Sequence, residues 1–175
     1  MTSPQAIAHL TLLRPVENTS AAETTVERRP VPFLKERRET QRKVNCQSTL
    51  HKRLALLGVL APEAPLSFVL VKLFGLEAMD ADTTDEVTSA ISGRILNLTR
   101  ATDIVGRYAP DSFGVALQGT GATAASAVAA RLQFHLSQLA ETLSSVSVMV
   151  SVATGRGFNA RTLPGAALDS LLDCG

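Results

Sequence analysis

Arg100 and Asp103 stand three residues apart, a guanidinium with its donors in a planar fork beside a carboxylate that only accepts when ionised. Such a pair can grip phosphate oxygens or the edge of a planar base. It can also close on itself as a surface ion pair, worth ~0–1 kcal/mol. Arg131 is an auxiliary cation for the same site. Asp111 and Asp85 are further carboxylates, each with an ordinary alternative in turn formation or at a helix start. The remaining reactive side chains form no set. Cys46 and Cys174 lie far apart with no CxxC pair, and His9, His51 and His135 are scattered. No Ser/His/Asp or Cys/His arrangement can be assembled. Gly119-Thr-Gly121 lacks the Gly-Lys-Ser/Thr continuation of a phosphate loop.

Composition bounds what these residues can be part of. The chain has 175 residues, 45% hydrophobic but only 4% aromatic, with no Trp and one Tyr. An aliphatic core of single-domain size is expected, and a stacking platform for nucleic acid is not. The formal charge of +1 conceals a split: residues 1–60 carry a net +5 and residues 61–175 a net −4. Residues 1–60 read as a flexible leader followed by a basic linker or helix, with Lys35–Leu60 the helical candidate. Residues 61–175 read as the folded domain. Residues 1–25 lack the pattern of a signal peptide, and Leu54–Met79 is broken by Pro62, Glu63, Pro65 and Lys72. A cytoplasmic protein without a membrane span is therefore expected.

The elements that must position Arg100 and Asp103 are legible from period and punctuation. Leu66–Phe74 is a short apolar run suited to a buried strand. Thr83-Thr-Asp-Glu86 has the form of a capping box, and Val87, Ile91, Ile95 and Leu98 follow at helical spacing through about Thr99. Ile104–Tyr108 and Phe113–Leu117 predict a hairpin around Ala109-Pro110-Asp111-Ser112. Gly121 to about Glu141 predicts a helix, Val146–Thr154 a strand, and Pro164–Leu172 a final short helix. The class is α+β, a ferredoxin-like β-α-β-β-α-β core.

The stretch Arg100 to Leu117 resembles the centre of a GGDEF domain, the diguanylate cyclase family. Arg100 and Asp103 match the family's R-x-x-D, Arg107 and Tyr108 its R-Y, and Val148-Met-Val-Ser-Val-Ala-Thr-Gly its V-S-x-G-x-A strand. The likeness covers about residues 64–174. It implies a GGDEF or nucleotidyl cyclase-like fold and a reaction in which two GTP molecules are joined with metal assistance. It also implies that this chain has lost much of the machinery. The signature pentapeptide falls on Ala109, Pro110, Asp111, Ser112 and Phe113, so both glycines and the second acid are replaced. The family's metal-binding Asp of the first strand falls on Lys72, which could alternatively point to solvent at the strand's end. Asp85 stands at the family's guanine-contacting Asp, a vestige of that site.

In the family the R-x-x-D is an inhibitory site for cyclic di-GMP, which assigns that ligand to Arg100 and Asp103 here, with Arg131 as an auxiliary cation beside them. Three readings follow. The first is a catalytically inactive GGDEF-like domain acting as a cyclic di-GMP receptor, with no cofactor. The second is a structural or protein-interaction domain that binds no nucleotide, with a protein partner or self-association through the basic N-terminal segment. The third, ranked below both, is an active diguanylate cyclase with Mg²⁺ on Asp111.

Overall fold

The structure is a computed structural model, and it describes residues 43–143 and 146–173. The helix α1 spans Gln47–Leu60, followed by strand β1 (Pro65–Phe74), a 3₁₀ turn (Leu76–Ala78) and helix α2 (Ala81–Leu98). Strands β2 (Ile104–Ala109) and β3 (Ser112–Gln118) form the hairpin. Helix α3 (Ala122–Thr142), strand β4 (Ser147–Arg156), a 3₁₀ turn (Gly157–Asn159) and helix α4 (Leu163–Leu172) complete the order. The sheet runs β2-β3-β1-β4 with every neighbour antiparallel. This is the ferredoxin-like arrangement expected from the β-α-β-β-α-β order.

The unbroken apolar run of β1 is explained by cover on both faces of the sheet. Val69, Val71 and Leu73 point to the side occupied by α2 and α3, where Ile91, Ile95, Leu132 and Leu136 are fully buried. Leu66, Phe68 and Leu70 point to the opposite side, where α1 contributes Leu50 and Leu54 and α4 contributes Leu163 and Ala167. The result is three layers, helices over sheet over helices. Most of Lys35–Leu60 that falls among the described residues is therefore a helix docked on the sheet; its first residues, like the leader, lie outside them.

Three local expectations are corrected. Helix α2 begins one turn before the Thr83 capping box: Asp80 is the N-cap, accepting the Thr83 backbone N–H at 2.9 Å and the Thr83 hydroxyl at 2.8 Å. Those two donors hold the Asp80 carboxyl below the usual carboxylate range. The hairpin turn is tighter than four residues, because Ala109 already pairs with Ser112 after a register shift beyond Arg107. Only Pro110 and Asp111 remain at the tip. Strand β4 continues past Thr154 to Arg156.

Residues ahead of α1 also contribute. Asn45 forms a parallel bridge with Gly106 on the outer edge of β2. Its N–H donates to the Val105 carbonyl at 2.9 Å, and its carbonyl accepts the Arg107 N–H at 2.8 Å. Gly106 is required here: a Cβ would stand 2.8 Å from that of Leu50 and 3.1 Å from the Asn45 oxygen.

Candidate functional site

Helix α2 ends at Leu98, and the chain turns through Arg100–Asp103 into β2. The turn is held by the Asp103 N–H donating to the Arg100 carbonyl at 3.1 Å and by the Arg100 N–H donating to the Asp103 carboxylate at 2.8 Å. It is thus the backbone of Arg100 that binds Asp103, leaving the guanidinium on the exposed side. Across the groove, α3 presents Arg131, whose Nη2 donates to the Leu98 carbonyl at 2.8 Å and anchors the end of α2. Arg100, Asp103 and Arg131 line one pocket of about 510 Å³, together with Gly119, Thr120 and Gly121. Burial pushes the Asp103 carboxyl up, against the opposing pull of the Arg100 N–H and of the Arg100 and Arg131 charges.

The hairpin residues gather elsewhere, at the far end of β2. Lys72, on β1, faces Ser112 of β3, and its ammonium is bonded to the Asp111 carboxylate. The reading of Lys72 as a solvent-facing strand end is therefore corrected, because the antiparallel register carries its side chain to the hairpin tip. Ser112 donates to the other Asp111 oxygen at 2.8 Å. Burial raises the Asp111 carboxyl, but Lys72 and Ser112 outweigh it and hold the group below its ordinary range. Arg107 braces the same tip from β2, its Nη1 donating to the Pro110 carbonyl at 2.7 Å while its guanidinium lies 4.9 Å from the Phe113 ring centroid. Ala109, the last residue of β2, and Pro110, in the turn, carry no functional group. Among the described residues no group of three His, Cys, Asp or Glu side chains converges as a metal site would require.

Asp85 lies in neither place. It stands on the second turn of α2 beside a separate cleft of about 450 Å³, shared with Asn45, Cys46, Thr88, Arg107 and Phe113. Cys46 was not singled out by its spacing, yet it occupies the N-cap of α1 with its sulfur 3.3 Å from the Ser48 hydroxyl and 3.1 Å from that of Thr49. These hydrogen bonds, Ser48 first, bring the thiol from 9.0 down to about 7. Alkylation of Cys46 by iodoacetamide, followed by mass spectrometry across a pH series, should be half-maximal near 7, and Ser48→Ala should move the midpoint upward. A midpoint at the ordinary thiol value would show that the hydroxyls do not act.

The fold and the arginine–aspartate turn define a class, the α+β domains built like nucleotidyl cyclases. Residues 78–173, more than half of the chain, match the family described as diguanylate cyclase, GGDEF domain. The chain belongs to the GGDEF family. Its structure is similar to the active GGEEF domain of a diguanylate cyclase from Vibrio cholerae, with a TM-score of 0.65 at 13% identity over 75% of this chain and 90% of that one. It is also similar to the coiled coil and GGDEF domain of DgcB from Caulobacter crescentus in complex with c-di-GMP, with a TM-score of 0.66, 13% identity, 81% of this chain and 86% of that one. A third likeness is to the diguanylate cyclase SiaD from Pseudomonas aeruginosa in complex with its activator SiaC, with a TM-score of 0.65, 18% identity, 81% of this chain and 64% of that one. No curated protein sequence matches the chain. No helix among the described residues is long and apolar enough to cross a membrane.

Proposed function

We propose that this GGDEF domain is a catalytically silent receptor for cyclic di-GMP, which it binds between α2 and α3 through Arg100, Asp103 and Arg131. The observation that carries the reading is the convergence of these three side chains on one pocket of about 510 Å³. Arg100 and Arg131 meet phosphate oxygens or the acceptor edge of guanine, and the ionised Asp103 accepts from the guanine N–H edge. With few aromatic side chains in the chain, guanine is held by charge and hydrogen bonds more than by ring stacking. The c-di-GMP complex of the Caulobacter relative supports the ligand class. Silence in catalysis is supported by the hairpin tip, where Ala109 and Pro110 stand for the glycines and Asp111 is engaged by Lys72. A cytoplasmic setting fits a receptor for a diffusible dinucleotide.

Titration calorimetry of the full chain tests this. Binding is expected in the micromolar range, weakened by about 10–100-fold in Arg100→Ala, the loss of a charged hydrogen-bonding group. Affinity should also fall on acidification, starting at a higher pH than an ordinary carboxylate would give, because the half-buried Asp103 takes up its proton early, losing its charge and turning one oxygen into a donor. For folding the sign is the reverse: a carboxyl whose native pKa is raised favours the native state in acid, and that contribution is lost as pH rises through the raised value. Asp103→Asn should abolish the pH dependence of binding. No heat from the wild type at about 100 μM ligand rejects the receptor reading. Product formed from GTP with Mn²⁺ over hours would reject catalytic silence.

A second reading is favoured by one observation, the crystallised complex of SiaD with its activator protein. On that reading the domain is a docking unit for a protein partner, which the basic segment before Gln47 would engage.

A further inference from the structure

We infer that the Lys72 ammonium is a built-in replacement for a divalent cation at the hairpin tip, so that the conformation of this tip is independent of metal. The inference goes beyond the receptor reading and does not need a ligand between α2 and α3. The family chemistry calls for a metal held by carboxylates from β1 and from the hairpin. In this chain the β1 position carries Lys72, and the hairpin position carries Asp111. Lys72 delivers one positive charge directly to Asp111, and Ser112 occupies the second carboxylate oxygen. Both oxygens are thus engaged and their charge is compensated. A hard divalent ion needs several oxygen ligands and would have to displace an ammonium of its own sign. The residues present do not fit such an ion.

The remaining contacts show that the tip is fixed without one. The Leu73 N–H donates to the Asp111 carbonyl at 2.9 Å, the next residue after Lys72 binding the backbone of the same aspartate. The Lys72 ammonium also lies 5.9 Å from the ring centroid of Phe74, two residues on along the same face of β1. From the other strand, Arg107 holds the Pro110 carbonyl at 2.7 Å. Two cations from two strands therefore brace the hairpin end, where both glycine positions of the signature carry side chains, Ala109 as the last residue of β2 and Pro110 in the turn. The consequence is a domain whose hairpin is set by covalently attached charge, insensitive to chelators and to the local supply of magnesium.

Thermal unfolding of the full chain, in EDTA and in millimolar Mn²⁺, tests the inference with four proteins. The wild type should melt within about 1 °C in the two buffers, and Lys72→Arg should behave alike. Lys72→Met should melt a few degrees lower in both, since Asp111 loses its cation and keeps only the Ser112 hydroxyl. Lys72→Asp should melt lower in EDTA and recover at least half of the loss in Mn²⁺, the restored pair of carboxylates now calling for the ion the lysine replaced. A Mn²⁺-dependent rise in the wild type, an unchanged melt for Lys72→Met, or no recovery for Lys72→Asp would each overturn it. If Lys72→Met does not fold, Asp111→Asn serves in its place, and Mn²⁺ binding to the wild type and Lys72→Asp is compared by electron paramagnetic resonance. These readouts involve neither GTP nor cyclic di-GMP, so they can fail while the receptor reading stands, and the reverse.

Discussion

Gly157→Ala should lower the melting temperature by about 10 °C, whereas the same exchange at Gly93 should raise it by a few degrees. Gly157 opens the 3₁₀ turn after β4, packed against the connection that leaves α1. A Cβ there would overlap the Ala61 carbonyl oxygen, with the carbonyl carbon at 2.8 Å and Pro62 Cα at 3.1 Å. All three atoms are backbone, so no side chain can rotate away. Two backbone hydrogen bonds join the same segments, Gly157 N–H to the Ala64 carbonyl at 3.0 Å and Phe158 N–H to the Pro62 carbonyl at 2.9 Å. Separating the segments would strain both. Overpacking of this kind costs about 1–3 kcal/mol when side chains can yield, and the upper end or beyond is expected where they cannot. Gly93 sits inside α2 with nothing within 4 Å of its Cβ position. Alanine there simply reduces the conformational freedom of the unfolded chain, a gain of about 0.5–1 kcal/mol. Circular dichroism melts of the two variants should move in opposite directions, and a common direction would refute the packing argument.

The second large effect concerns α1. Leu50→Ala and Leu54→Ala should each cost about 2–5 kcal/mol, because both side chains are at most 1% exposed and fill the layer over Phe68 and Leu70. The double variant removes two neighbours one turn apart, so the costs need not add. It should still approach the whole stability of a domain this size, about 5–15 kcal/mol. Lys52→Ala, on the exposed side of the same helix, should stay within about 0.5 kcal/mol. Urea denaturation measures all four. Losses below about 1 kcal/mol for both leucines would mean that α1 detaches from the sheet without consequence.

The same helix marks the limit of what could be read from residues alone. The four strands, their order and the helices between them follow from apolar period, turn residues and the antiparallel logic of β-α-β-β-α-β. The docking of α1 does not, because its apolar residues point both ways. Leu50 and Leu54 go inward, while Leu56, Val59 and Leu60 are exposed. No single stripe identifies the buried face, and the basic residues beside it suggest a linker. The start of α2 was ambiguous for a different reason. Asp80 and Thr83 are both good caps three residues apart, and the Asp80 carboxylate prevails by taking two donors. At the site, the R-x-x-D spacing brought out Arg100 and Asp103, with Arg131 an auxiliary cation on the following helix; the three line one pocket because α2, its terminal turn and α3 meet there. The Lys72–Asp111 pair was not legible, since its partners are 39 positions apart and meet only through the β1–β3 register.

The bridge between Asn45 and Gly106 has a consequence for how copies of this domain can meet. An outermost strand with free amide and carbonyl groups is a template on which a foreign strand can assemble, the first step of many aggregates and of strand-addition complexes. On β2 the Val105 carbonyl and the Arg107 N–H are already taken by Asn45, and the Asn45 side chain adds a second donor to the same carbonyl at 2.6 Å. At this point the border of the sheet is covered by Asn45 of its own chain. An encounter at this point of β2 must be made through side chains, which can discriminate between partners, and not through the backbone, which cannot.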